Sequence, residues 1–246
     1  MKYLSGITVS LLLACSAPVS AARTDTALSC VARNLNFGQK TAGWVHLPLS
    51  KMKRDTVYSV VQENGQAVLR GVADRSASLY VALFKPATGV PAGMGWRWKT
   101  DALVPDADNR DKDREDAPLR VLVGFDGDKA ALPAEEQTRF RRAKTLTGRD
   151  APYATLMYIW SDHVPVNTVI PSAHTSQVKM LVVASGTEGL GLWQSVHRDL
   201  AADYRHAFGA APGRMLGVAV MTDTDNTGAR AVGEYADIRF DCRGGK

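Results

Sequence analysis

The sequence predicts a mainly β protein, specifically a jelly-roll-like antiparallel β-sandwich with two peripheral helices. About ten short apolar or alternating runs follow Gly43, separated by glycine, proline and aspartate. Many short strands with such punctuation favour a sandwich or jelly roll. A hydrophobic fraction of 45% and a charged fraction of 22% are ordinary for a globular protein.

The first 21 residues have the pattern of a secretory signal peptide. Lys2 supplies a positive start, and the apolar run over residues 4–14 is too short to span a bilayer. Small residues up to Ala21 form a cleavage region. The mature chain, residues 22–246, is then expected to be a single β-sandwich domain in the periplasm or outside the cell.

A second kind of processing stays open at the same end of the chain. The run LLAC, which ends at Cys15, resembles the lipobox of bacterial lipoproteins. Cys15 would then carry a lipid and anchor the protein to a membrane. No transmembrane span is predicted in either case.

Two cysteines, Cys30 and Cys242, remain after cleavage at Ala21 and lie near the two ends of the mature chain. In an oxidising compartment such a pair favours a disulfide bond over two free thiols. The bond would make the first and last strands neighbours, which argues for one domain.

The strand and helix signals follow in chain order. Asn64-Gly65 separates two strand-like runs and is a strong hairpin signal. A helix is expected from Pro133 to Thr147, ended by Gly148, and a second from Trp193 to Phe208, ended by Gly209. The predicted strands are GWVHLPL, TVYSVVQ, QAVLRGVA, ASLYVALF, MGWRWK, LRVLVGF, ATLMYIW, QVKMLVVA, MLGVAVM and EYADIRF.

The second helix has a polar face on which two interpretations compete. Arg198 and Asp203 either belong to a solvated, charged surface or point inward and anchor the helix to the sheet. In the second case they are also candidates for ligand binding.

The acidic turn after MLGVAVM is the candidate metal site. Asp223, Asp225 and Asn226 would place several oxygens on one side of a loop, as a hard cation such as calcium requires. The alternative is ordinary turn chemistry, in which these side chains bond their own backbone.

Three tryptophans are the candidate ligand platform. Trp96 and Trp98 share one face of a strand, and Trp160 ends another strand. Their rings either stack on a sugar or fill the sandwich core. Arg120 is expected to be the partner of Asp116 or of an acidic ligand.

Other functional classes find little support. The net charge of +5 is spread along the chain without a basic block, so no nucleic-acid partner is predicted. Nucleophile-elbow, zinc-protease, phosphate-loop and dinucleotide motifs are missing from the sequence. No catalytic residue is assigned.

Several motifs together resemble a bacterial secreted family known as domain of unknown function 3047. They are GWRWKTD, EDAPLRVLVGF, YIWSD, the run from Trp193 to Gly209, and TDTDNTGARAVGEYADIRF. The resemblance covers roughly residues 37–240 and implies no established activity. The closing strand and its acidic turn also look like the end of galactose-binding-like jelly rolls.

These observations lead to two functional hypotheses. The first is an exported module that binds carbohydrate or cell-envelope glycan. The alternative is an envelope glycoside hydrolase or lyase that uses aspartate or glutamate residues.

Overall fold

The computed structural model describes residues 30–38 and 43–242, so the predicted signal peptide and Cys15 lie outside the described residues. Within these ranges it contains two α-helices, α1 (Ala134–Thr147) and α2 (Leu200–Phe208). Neither helix is long and apolar enough to cross a membrane. The strands of the described ranges are β1 (Arg33–Leu35), β2 (Trp44–Pro48), β3 (Val57–Glu63), β4 (Gln66–Asp74), β5 (Ser78–Thr88), β6 (Gly93–Lys99), β7 (Ala117–Phe125), β8 (Ala154–Ser161), β9 (Val169–Pro171), β10 (Val178–Ser185), β11 (Gln194–Arg198), β12 (Met215–Asp223) and β13 (Arg230–Asp241).

The strands form two sheets, and the mainly β sandwich with two helices is confirmed. The six-stranded sheet has the order β11-β6-β13-β4-β3, with β1 also paired to β13. The seven-stranded sheet has the order β2-β5-β12-β7-β8-β10-β9. All pairs are antiparallel except β8 with β10, which are parallel, so the second sheet is mixed. The sequence pattern missed this pair because it does not encode strand direction.

The main core lies between the two sheets. Its largest fully buried side chains include Trp96, Trp98, Tyr158, Trp160 and Tyr235. Successive side chains of a strand point to opposite faces, so the neighbours of these core residues face the other way. In the seven-stranded sheet those neighbours form a second buried cluster, which makes that sheet apolar on both faces.

The predicted disulfide is present and has the predicted topological consequence. Cys30 and Cys242 are bonded, with their Cα atoms 5.8 Å apart and a sequence separation of 212. β1 pairs with β13, so the first and last described strands are neighbours.

The local turn and helix signals are also largely confirmed. Glu63 pairs with Gln66 across the β3–β4 hairpin, and Asn64 and Gly65 both have the positive φ that the two-residue turn requires. α1 begins after Pro133, and Gly148 ends it in the left-handed conformation.

The predicted helix from Trp193 to Phe208 is wrong in its first half. Gln194–Arg198 is strand β11, which pairs with the edge of β6, and only Leu200–Phe208 is helical. Asp199 caps the helix by accepting a hydrogen bond from the Ala202 amide at 2.9 Å. Gly209 ends the helix as predicted. The free edge of β6 explains the difference, because pairing with it satisfies backbone groups that a helix would otherwise satisfy internally.

Candidate functional site

The three tryptophans proposed as a ligand platform lie in the core. Trp98 is completely buried, and Trp96 and Trp160 are each 1% exposed. The Trp96 ring packs edge-on against Trp98 at 5.5 Å between centroids, and Trp98 lies 6.3 Å from Trp160. The shared face of β6 is therefore the inner one, and the core-packing alternative describes these residues. An exposed platform on them is wrong, because the opposing sheet covers their rings.

Arg120 is buried and pairs with Asp223 instead of Asp116. Its Nε donates to Asp223 Oδ1 at 2.9 Å, and the two side chains are only 3% and 5% exposed. A ligand cannot reach this guanidinium without opening the sheet. Burial, opposed by the attraction of Arg120, raises the pKa of Asp223 to about 7.

The predicted metal residues form part of a carboxylate cluster. Oxygens of Asp116, Asp223 and Asp225 lie within 4.8 Å of one another. Two cations of the protein already neutralise the cluster, since Arg120 binds Asp223 and Lys53 forms an ion pair with Asp225. Calcium needs six to eight oxygen ligands, and two of these three carboxylates are already paired with protein cations.

The remaining contacts of the cluster are those of an anchored turn. Asp116 Oδ2 accepts from the Thr227 amide at 2.7 Å and from its hydroxyl at 2.6 Å. Asn226 donates its backbone amide to Asp116 and its side-chain amide to the Lys112 carbonyl, so it does not aim an oxygen at the cluster. The arrangement favours turn chemistry over a calcium site.

Arg198 and Asp203 point inward, as the second of the two interpretations holds. Arg198 donates two hydrogen bonds to the Asp203 carboxylate, at 2.7 and 2.8 Å. Tyr158 of the core donates its hydroxyl to the same carboxylate at 3.0 Å. Burial, and next the negative charge of Asp203, raises the pKa of Tyr158 well above its ordinary value. The group anchors α2 to the sheet, and both carboxylate oxygens of Asp203 accept hydrogen bonds within it.

A cleft of about 500 Å³ opens at the end of the sandwich where β7 ends and β8 and β10 begin. One wall is the C-terminal half of α2 with the loop to Gly213, and the other contains Asp126, Asp128, Tyr153 and Lys179. Volumes of this size are typical of small-molecule sites. The cleft is continuous with the main core, since Tyr204 of α2 packs against Phe125, with ring centroids 4.7 Å apart.

Aromatic rings form the apolar part of the cleft. Tyr204 and Phe208 are stacked with centroids 4.5 Å apart, and Tyr204 is only 3% exposed. Tyr153 and Phe208 are half-buried and keep part of their ring surface accessible. The Tyr153 ring lies against Gly127, where a Cβ atom would overlap it. The absence of a side chain at residue 127 therefore sets the position of this ring.

Polar groups surround the rings. Asp126 forms an ion pair with Arg214 at 2.6 Å, and Asp128 accepts a hydrogen bond from the Ala130 amide at 2.9 Å. Burial, with a smaller electrostatic effect of Tyr153, raises the pKa of Tyr204. Its hydroxyl therefore stays protonated at neutral pH and can donate a hydrogen bond.

Of these cleft residues, the sequence pattern singled out Tyr204 and Phe208 as part of an apolar helix face, but not as a site. Tyr153 and Lys179 were missed because Tyr153 immediately precedes β8 and Lys179 lies in β10, and these segments meet only through the parallel pairing of the two strands. The sequence signal that could have indicated the cleft is the pair Asp126 and Asp128. These two carboxylates are two residues apart and directly follow a buried strand.

The sequence signature of the family described as "Protein of unknown function (DUF3047)" matches residues 42–239. The match covers most of the chain. The chain belongs to the DUF3047 family. This confirms the resemblance seen in its sequence motifs, and the DUF3047 match spans every strand from β2 to β12. No curated protein matches this DUF3047 chain.

Proposed function

We propose that this protein is a carbohydrate-binding module that takes a glycan of the cell envelope into the cleft between α2 and the ends of β7, β8 and β10. The observation that carries the proposal is the pair of half-buried rings, Tyr153 and Phe208, beside hydrogen-bonding groups in one concave site. Aromatic faces pack against the C–H faces of sugar rings, and polar neighbours fix the orientation of the hydroxyls.

The predicted export to the periplasm or the outside of the cell agrees with an envelope ligand. Both the signal peptide and the alternative lipid anchor at Cys15 would place the module outside the cytoplasm. The position of the cleft at the end of the sandwich would allow a chain of sugars to enter from the side, since its rim is formed by loops.

Isothermal titration calorimetry against a glycan panel tests the proposal. Tyr153→Ala and Phe208→Ala should each weaken binding about tenfold, because each removes a ring from the site. Tyr153→Phe keeps the ring and is the matched control. Calorimetry is preferable to tryptophan fluorescence, since no tryptophan lines the cleft. A panel without any binder, or variants that bind as well as the wild type, would refute the proposal.

A glycoside hydrolase or lyase is the second candidate, and one observation favours it. Asp126 and Asp128 both line the cleft, as two carboxylates of a glycosidase would. Asp203 and Asp223 are unsuited to the role, because their side chains are 9% and 5% exposed and engaged by arginines. The release of reducing sugars by the wild type and its loss in Asp126→Asn and Asp128→Asn would support the enzyme.

A further inference from the structure

Lys179 lies in the cleft and has no partner among the residues that the structure describes. It is half-buried near the start of β10, where it pairs in register with Leu156 of β8 and Pro171 of β9. Lys179 and the core residue Leu181 are two residues apart on β10, so their side chains lie on the same face of the sheet. That face is the inner one. The Lys179 ammonium makes no hydrogen bond or ion pair with another residue of the described ranges.

The two carboxylates of the cleft differ in how many of their oxygens accept hydrogen bonds. Asp126 has both oxygens in use, one on Arg214 and one on the Gly127 amide at 3.0 Å. Asp128 uses Oδ1 to cap the short helix Lys129–Ala131, and its Oδ2 accepts nothing from the part of the chain that the structure describes. Among the described residues that line it, the cleft therefore holds one unpaired cation and one carboxylate oxygen that accepts no hydrogen bond.

These two groups require different ligand chemistry. A partly desolvated ammonium gains most from an anion, because removal from water weakens its hydration without supplying a counter-charge. A carboxylate oxygen accepts hydrogen bonds, and vicinal sugar hydroxyls supply them. A doubly charged phosphate fits poorly, since the cleft is also lined by Asp126 and Asp128, whose repulsion of a double charge is about twice that of a singly charged carboxylate.

We infer that the ligand is a glycan that contains a sugar acid, whose carboxylate pairs with Lys179 while its ring packs on Tyr153 and Phe208. Hydroxyls of the same sugar donate to Asp128 Oδ2, and the Tyr204 hydroxyl donates to the ligand. The inference rests on the proposed function and narrows the class of ligand to uronate-bearing glycans.

The test compares acidic oligosaccharides with their own neutral forms. Oligogalacturonides, alginate oligomers and hyaluronan oligosaccharides are titrated by calorimetry beside their carboxyl-reduced counterparts. The wild type should bind at least one acidic form about tenfold or more tightly than its reduced form, and added salt should diminish the difference. Lys179→Met should lower the affinity for the acidic form about tenfold and so abolish the preference for it over the reduced form.

Two controls make the outcome specific. Lys179→Arg retains the positive charge and should retain the preference, whereas Lys51→Met removes an exposed lysine outside the cleft and should change nothing. Equal binding of acidic and reduced forms by the wild type, or a preference that survives Lys179→Met, overturns the inference. Neither result contradicts the proposed carbohydrate-binding function. If no oligosaccharide of either set binds, both the inference and the proposed function are overturned.

Discussion

Arg198 holds Asp203 through two hydrogen bonds, from Nη2 to Oδ1 at 2.7 Å and from Nε to Oδ2 at 2.8 Å. The pair joins the last residue of β11 to the first turn of α2. Because α2 forms one wall of the cleft, this contact ties the position of Tyr204 and Phe208 to the edge of the six-stranded sheet.

Removing that contact should loosen α2. We expect Asp203→Asn to lower the free energy of unfolding by about 2 kcal/mol, because hydrogen bonds to a charged partner are lost in a nearly buried position. Urea unfolding measures the change. Arg205→Met, an exposed residue of the same helix, is the control. An effect no larger than that of the control would contradict the anchoring role.

Loss of one partner of the buried pair Arg120 and Asp223 should lower the free energy of unfolding more than loss of both partners. Arg120→Met leaves a carboxylate without its cation, which typically costs about 3–5 kcal/mol. The double variant Arg120→Met with Asp223→Asn should recover part of that loss. Denaturant unfolding at pH 8 provides the comparison, and a double variant that is less stable than the single one would disprove it.

The same carboxyl group should make stability depend on pH. Its pKa of about 7 in the folded protein exceeds the ordinary value near 3.8, so the folded state retains a proton that the unfolded chain has lost. This contribution is fully present below about pH 4 and disappears as the pH rises through about 7. It amounts to on the order of 4 kcal/mol.

The pH effect is isolated by comparison with Asp223→Asn, which cannot titrate. Between pH 4 and pH 8 the stability of the wild type should fall relative to that of the variant. Other carboxyl groups titrate in both proteins and cancel in the difference. A constant difference across this range would show that Asp223 is ionised throughout.

Reduction of the Cys30–Cys242 bond should destabilise the protein strongly. The bond closes a loop of more than 200 residues, and its entropic effect on the unfolded chain is about 5 kcal/mol. Unfolding midpoints with and without dithiothreitol measure the effect. The double variant Cys30→Ser with Cys242→Ser should be insensitive to the reductant, and a wild type that is equally insensitive would contradict the prediction.

Gly127→Ala should displace the Tyr153 ring and weaken glycan binding about tenfold with little change in stability. The added Cβ would occupy the space of the ring, whereas residue 127 itself lies in an exposed loop. A double-mutant cycle with Tyr153→Ala tests the mechanism. Once the ring is absent, Gly127→Ala should have no further effect on affinity, and an additive loss would show that the loop acts in another way.

Much of the fold was predictable from local patterns. All ten predicted strands appear, as β2–β8, β10, β12 and β13, because each combines a strand-length apolar run with turn residues at its ends. β1 and β9 were missed, since strands of three residues carry too little periodicity. The run from Trp193 to Arg198 was misassigned because its apolar spacing also fits a helix.

The site was much less predictable. Trp96, Trp98 and Trp160 were recognised as one aromatic group, but a strand pattern does not tell which face is inward. Arg120 was expected to pair with Asp116 or an acidic ligand, yet its partner was decided by strand register. The register places Met221 opposite Arg120 and so brings Asp223 of the same strand within reach.

The amino-acid sequence by itself determined the class of fold, the disulfide, the main hairpin and the family, because each depends on residue types at short or fixed separations. Only the tertiary structure decided which aromatic rings are buried and which line a cleft. The reason is that burial depends on what packs against a face, and Tyr153, Lys179 and Phe208 come together only when two parallel strands and a helix meet at one end of the sandwich.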